Sequence, residues 1–265
     1  DEEEGLTDPI AGRQGCHMAA AEWRVLGWLE QQGIDYDLYG ESQFHFDAFP
    51  LDEYQCLAIT THPEYWSKDM YFRLKNWVFE RGGRLIYLGG NGLNCEIELL
   101  DDHRVVYHNT PWSHSEIQLK PDGGAYESRF DKRQESEANL LGVVFSFSGI
   151  MTAAPYKVID AGHWCFEGTG LKNGDTFGEK SLHQRIPGGA SGHETDKVSP
   201  SSPAGVTVVA RGLNPDSGGG EIVHYDTDSG GAVFSVGSIS YPSSMLVDDV
   251  ISRITANVIN RFLSS

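Results

Sequence analysis

A histidine, a carboxylate and a phenol stand together at His62, Glu64 and Tyr65, inside the stretch "THPEYWS" that runs from Thr61 to Ser67. An imidazole moves protons near neutral pH, and a carboxylate can orient or deprotonate water. A phenol can ligate a hard cation or position a substrate, but its free pKa near ~10 keeps it protonated at pH 7 unless a metal or a strong positive field lowers it. The same residues also suit a structural corner. Pro63 sets a turn, Glu64 favours a helix N-terminus, and Trp66 packs against a sheet. Residue types and spacing leave both uses open.

Other candidates are more dispersed. The turn "YLGGNG", Tyr87 to Gly92, fits neither GxGxxG nor GxxxxGK[ST], so its glycines serve a tight exit or a close backbone approach rather than a phosphate. A nucleophile elbow would place Ser or Cys where Gly90 or Asn91 stands, and Cys95 has no base at fixed spacing. His114 and Glu116 are two apart and would share one face of a strand, as two ligands or as a solvated edge. Glu127 follows a glycine turn in "GGAYESRF". Glu194 lies in the Gly-rich "PGGASGHETD", Pro187 to Asp196.

Those residues need elements to carry them. Met18, Ala21, Val25, Trp28 and Leu29 recur at helical spacing, with Gly33 where a C-cap belongs. "IDYDLY", Ile34 to Tyr39, alternates like a strand. Leu57 to Thr61 is a strand, Ser67 caps a helix striped by Met70, Leu74, Trp77 and Val78, Gly82-Gly83 ends it, and Arg84 to Leu88 is the next strand. This strand, helix and strand make a βαβ unit with parallel strands, so the first half is α/β. "THPEYWS" and "YLGGNG" then both sit at carboxyl ends of strands, where open parallel sheets collect ligands.

Strands are predicted at 105–107, 116–119 and 140–147 in an irregular middle, and the polar, Gly-rich segment 168–203 reads as a long surface excursion. Strands at 205–210, 221–225 and 231–239 and a helix at about 246–263 follow, with no repeat and no clear linker. One domain over 1–265 is the expectation.

The composition bounds the partners. Lys+Arg 20 against Asp+Glu 38 gives a net charge of −18, which repels nucleic acid and acidic lipid. No apolar run reaches the ~18 residues of a membrane span, so the chain reads as soluble. Cys16, Cys56, Cys95 and Cys165 lack the paired spacing of a zinc or thioredoxin site, and scattered thiols point to a cytoplasmic setting. The opening "DEEEGLTDP" without Met reads as a processed product or the later part of a longer chain.

"HPEYW" with "ERGGRLIYLGGNG" after its helix and "GGAVFSVGSISY" before the last helix resembles the C-terminal region of the large (beta) subunit of the N,N-dimethylformamidase family. "AAAEWRVLGWLEQQGIDYDLY", "LLGVVF", "WCFEGTG", "GGASGHETD" and "ISRITANVINRFL" follow in the family's order. The resemblance implies a flavodoxin-like, class I glutamine-amidotransferase-like parallel sheet with helices on both faces, a β-rich middle and no nucleophilic cysteine. It implies amide or related C–N bond hydrolysis with a ferric ion as Lewis acid, held by two tyrosines and a glutamate. Tyr65 matches one tyrosine and Glu127 the glutamate, while Glu194 matches an acidic residue that assists catalysis and His62 stands ready to move protons. Arg24 falls where the second tyrosine belongs, Ala125 where a histidine does, and Met151 where an amide or acid does. Tyr36 or Tyr39 could replace the lost phenol. A small amide substrate and further subunits are the implied partners. The alternative is a non-catalytic module that binds a partner or ligand.

Overall fold

The computed structural model describes residues 17–101, 103–109 and 118–264. His114, Ser115 and Glu116 lie outside the described residues, as does Cys16. Helix α1 (His17–Gln32) forms as its periodicity predicts, burying Ala20, Ala21, Arg24, Val25 and Trp28. Gly33 leaves it in the left-handed region at φ +66°. Strand β1 (Cys56–Thr61), helix α2 (Lys68–Arg81) and strand β2 (Arg84–Gly89) form the expected βαβ unit. The two strands pair in parallel, with Cys56 opposite Arg84 and Thr61 opposite Gly89. Ser67 caps α2 by accepting the Met70 N–H at 3.2 Å.

Strands β3 (Tyr156–Val158), β4 (Thr176–Phe177), β5 (Thr207–Gly212), β6 (Glu221–Asp226) and β7 (Ala232–Ser235) complete a seven-stranded sheet in the order β1-β2-β7-β6-β5-β3-β4. Helix α3 (Asp249–Ser264) ends the described chain. Within this sheet only β1, β2 and β7 run in parallel; its other pairings are antiparallel. The expected parallel sheet is therefore a mixed one. The links β5–β6 and β6–β7 are hairpin loops, too short for the crossover that parallel pairing needs.

Helices do cover both faces. Leu85 and Tyr87 of β2 pack with Met70, Leu74 and Trp77 of α2, whereas Ile86 and Leu88 pack with Val25 and Trp28 of α1 and Ile254 and Val258 of α3. Two apolar layers on one strand explain why "RLIYL" is a continuous apolar run.

Three expectations are corrected. Ile34 to Tyr39 forms no strand: 35–38 are exposed, and the segment is tied by polar contacts, Tyr36 Oη to Glu30 and Tyr54 Oη to Asp37. Alternation without a partner strand leaves the backbone unsatisfied. In 140–147, Leu140 and Leu141 end a short helix (Ala138–Leu141), Gly142 turns the chain at φ +75°, and only Val144–Ser146 is strand. The segment 168–203 is not a surface excursion throughout, since Phe177, His183, Ala190, Ser191, His193 and Asp196 are buried in it. Among the described residues no helix is long and apolar enough to cross a membrane.

Candidate functional site

The carboxyl ends of β1 and β2 deliver His62 and Asn91 to one edge of the sheet. Thr61 and Asn91 adopt positive φ, 64° and 50°. For a β-branched threonine this is a strained backbone, and such strain concentrates where a side chain must be aimed. The third contributor is distant in sequence. Segment 191–197 folds over the same edge: Asp196 N–H donates to Gly237 O at 3.0 Å, and Ile239 N–H to Glu194 O at 3.3 Å. A Cβ on Gly90 would lie 2.5 Å from Glu194 O, so glycine there admits this backbone. "GGNG" therefore serves a close approach of the chain to itself.

The outcome is a polar cluster centred on His62. Its Nε2 lies 3.2 Å from Glu194 Oε2 and 3.3 Å from Glu64 Oε2. Asn91 Nδ2 donates to Glu194 Oε2 at 2.7 Å, and Asn91 Oδ1 accepts from Asn94 Nδ2 at 2.5 Å. Burial disfavours the charged imidazole, but hydrogen bonds to Glu194 and Glu64 and their charges outweigh it and raise His62 to about 9. His62 is thus an imidazolium at neutral pH. Asn91 Nδ2, 3.3 Å from His62 Nε2, then faces another donor and is held by Glu194 alone. Burial opposes ionisation of Glu194, yet its bonds to His62 and Asn91 leave its carboxyl below the usual value.

Asp196 braces the cluster. It accepts the Asn91 N–H at 2.7 Å and the Tyr87 hydroxyl at 2.8 Å, and full burial raises it to about 7. A row of further histidines adjoins: His17 Nε2 is 3.1 Å from His62 Nδ1, His17 meets the ring of His193 edge-on at 4.6 Å, and His193 Nδ1 is 3.1 Å from His183 Nε2. Burial above all holds His17 below the ordinary value, His193 at about 4 and His183 at about 3, so these rings are neutral.

Of the four residues singled out by sequence, the fold brings His62 and Glu194 into contact. Tyr65 neighbours Glu64, and its ring is edge-on to that of Tyr107 at 5.2 Å. Burial and then the Glu64 charge push its phenol up to about 12. Glu127 is occupied elsewhere: Ser136 and Ser199 donate to Glu127 Oε2, the latter at 2.8 Å, and no described hydrogen bond joins Glu127 to Tyr65. Arg24, at the second tyrosine's place, is buried and donates to Ser243 Oγ at 3.0 Å. Tyr36 and Tyr39 bond to Glu30 and Tyr54 and do not replace that phenol. Ala125 bridges Leu119 in a local turn, and Met151 bonds the His193 carbonyl through its backbone N–H. Among the described residues no three His, Cys, Asp or Glu side chains are arranged to hold a metal.

Sequence reasoning missed Asn91 and His17. In the sequence Asn91 marks only a place where a nucleophile is lacking. The signal for His17 is its position seven residues before Arg24, on the same side of α1.

The family model described as "N,N-dimethylformamidase beta subunit-like, C-terminal" matches residues 6–253. The N,N-dimethylformamidase beta subunits of Alcaligenes sp and Paracoccus aminophilus are each 24% identical over 292 aligned positions, covering 92% of this chain. The chain spans 36% of the length of these relatives. With the match extending over most of the chain and the HPEY and GHE segments meeting at one sheet edge, the chain belongs to the N,N-dimethylformamidase beta subunit-like C-terminal family.

Proposed function

We propose that the chain is an amidohydrolase module that cleaves a small amide or related C–N bond at the His62 cluster, within an assembly of several subunits. The observation that carries this reading is the imidazolium of His62 held between Glu194 and Glu64 at 3.2 and 3.3 Å. Amide hydrolysis needs a water set against the carbonyl carbon, a donor for the oxygen as it gains charge, and a proton for the departing nitrogen. His62, protonated at neutral pH, suits the last two tasks. A carboxylate beside it orients the water and takes its proton. Asn91 fixes Glu194 in place for this. The names of the relatives, amidase subunits, support both the reaction class and the multisubunit setting.

The parallel β1-α2-β2 unit with helices on both faces supports a flavodoxin-like, glutamine-amidotransferase-like ancestry for the sheet, and the two apolar layers sharing that sheet support one domain over 1–265. A second reading, a non-catalytic module that binds a partner or ligand, is favoured by one observation: at the second tyrosine's place stands Arg24, a buried cation that donates to Ser243 and cannot ligate iron.

The test uses the full-length protein with any co-purifying subunits and follows amine release from N,N-dimethylformamide and other small amides. Hydrolysis that falls at least about 100-fold in His62→Gln and in Glu194→Gln supports the amidohydrolase. A folded but inactive wild type supports the binding module. Metal analysis of the same preparation, with a search for a tyrosinate-to-iron absorption that vanishes in Tyr65→Phe, decides whether Tyr65 is an iron ligand.

A further inference from the structure

The opposite edge of the sheet, where β2 and β7 begin and α3 ends, holds a cavity of about 120 Å³ lined by Arg84, Trp164, His224, Asp226 and Arg261. Its polar groups are organised from inside the fold. The Cys165 N–H donates to His163 Nδ1 at 3.3 Å, which places the His163 proton on Nε2. That Nε2 is 3.3 Å from His224 Nδ1, so His224 accepts there and carries its own proton on Nε2. His224 Nε2 lies 3.5 Å from Asp226 Oδ1, a long contact to a carboxylate that is 77% exposed. Burial keeps both imidazoles neutral, with His163 lowered to about 4.

Two cations complete the lining. Arg84 Nη1 donates to the Phe262 carbonyl at 2.8 Å, which anchors this guanidinium against the end of α3. The Arg261 guanidinium lies 6.0 Å from the centre of the Trp164 ring, and the Trp164 ring lies 5.1 Å from that of His224. On a chain of net charge −18, two arginines at one small cavity form a local positive field with an N–H donor of fixed tautomer beside it. The single acid of the lining, Asp226, is largely exposed, and its contact to His224 is long at 3.5 Å.

We propose that this cavity binds a small oxyanion, a carboxylate or phosphate group, with Arg84 and Arg261 supplying charge and His224 Nε2–H a hydrogen bond. Its volume suits an anion of a few heavy atoms and excludes a nucleotide. Asp226 competes with that anion for His224, so its removal strengthens binding.

The test titrates the full chain at low ionic strength with sodium acetate and, separately, inorganic phosphate, with sodium chloride as the ionic control, and follows the His224 imidazole and Trp164 indole signals by NMR. Saturable changes confined to these residues, weakened about tenfold in Arg261→Gln and tightened in Asp226→Asn, support the site. Both variants alter exposed side chains and leave the Arg84 anchor in place. The anion that saturates at lower concentration identifies the ligand as carboxylate or phosphate. Changes that do not saturate, that chloride reproduces, or that persist unaltered in both variants overturn the proposal.

Discussion

Glu194 and Glu64 both reach His62 Nε2, but Glu194 is also fixed by Asn91, so the two carboxylates are not equivalent. Glu194→Gln keeps the shape and removes the charge. Its expected effect is a fall in the His62 titration midpoint from about 9 by roughly one pH unit or more, read from the imidazole signals by NMR. An unchanged midpoint would show that Glu64 alone holds the proton. The linkage has a definite sign. The folded value of His62 lies above its unfolded value, so its contribution to stability is complete below pH 6.5 and is lost as pH rises toward 9. In the variant that loss is smaller and is complete at lower pH. At this scale the sequence was partly legible. His62, Tyr65 and Glu194 stood out because imidazole, phenol and carboxylate in Gly- or Pro-bounded loops are unusual neighbours. Asn91 did not, because its role is to hold a carboxylate, and a search for attacking atoms passes over such a donor.

The segment 188–196 carries Glu194 and His193 into the core, and glycine makes its path possible. A Cβ on Gly189 would lie 2.4 Å from Ala154 backbone atoms, at a φ of +146° that other residues rarely adopt. Gly189→Ala is expected to destabilise the protein by roughly 2–4 kcal/mol, seen as a lower urea midpoint, through clash and backbone strain together. The same variant moves Glu194 away from His62, so the His62 midpoint falls as well; a stable variant with an unchanged midpoint would show that the segment adapts. Ser67→Ala is a milder probe, costing about 1 kcal/mol by removing the α2 cap. These elements differ in how they announce themselves. Helices α1, α2 and α3 and strands β1 and β2 bury an apolar stripe or run, which periodicity reports directly. Segment 188–196 is buried through backbone pairing with 237–239 and through glycine contacts, neither of which leaves a hydrophobic period. Strands β3 and β4 were hidden for a related reason: two or three residues are too short for a pattern, whereas β5, β6 and β7 overlap the strands expected at 205–210, 221–225 and 231–239.

Acid should weaken the whole molecule at a higher pH than carboxylate titration alone would produce. Burial holds His17, His163, His183, His193 and His224 below the ordinary histidine value in the folded chain, His183 to about 3 and His163 and His193 to about 4. For groups with depressed folded values, the stabilising contribution is complete above pH 6.5 and is lost as pH falls through the folded values, because the unfolded chain takes up protons that the native one refuses. Two effects oppose this. Asp196, raised to about 7 in the fold, and Glu137, Glu41 and Glu22, raised chiefly by burial, hold protons that the unfolded chain takes up only near its ordinary carboxylate values, so each adds stability as pH falls. Neutralising a net charge of −18 also relieves repulsion, yet most carboxylates titrate below pH 5, and at 0.15 M salt the screening length of about 8 Å already mutes them. Five depressed histidines against four raised carboxyls decide the sign. The urea midpoint is expected to fall steadily from pH 6.5 to 5 at 0.15 M salt, and His183→Gln is expected to flatten that slope by removing one of the five. A midpoint that holds or rises over this range would mean that water or a counter-charge reaches these rings, and that the histidine row at the sheet edge is wetter than its packing indicates.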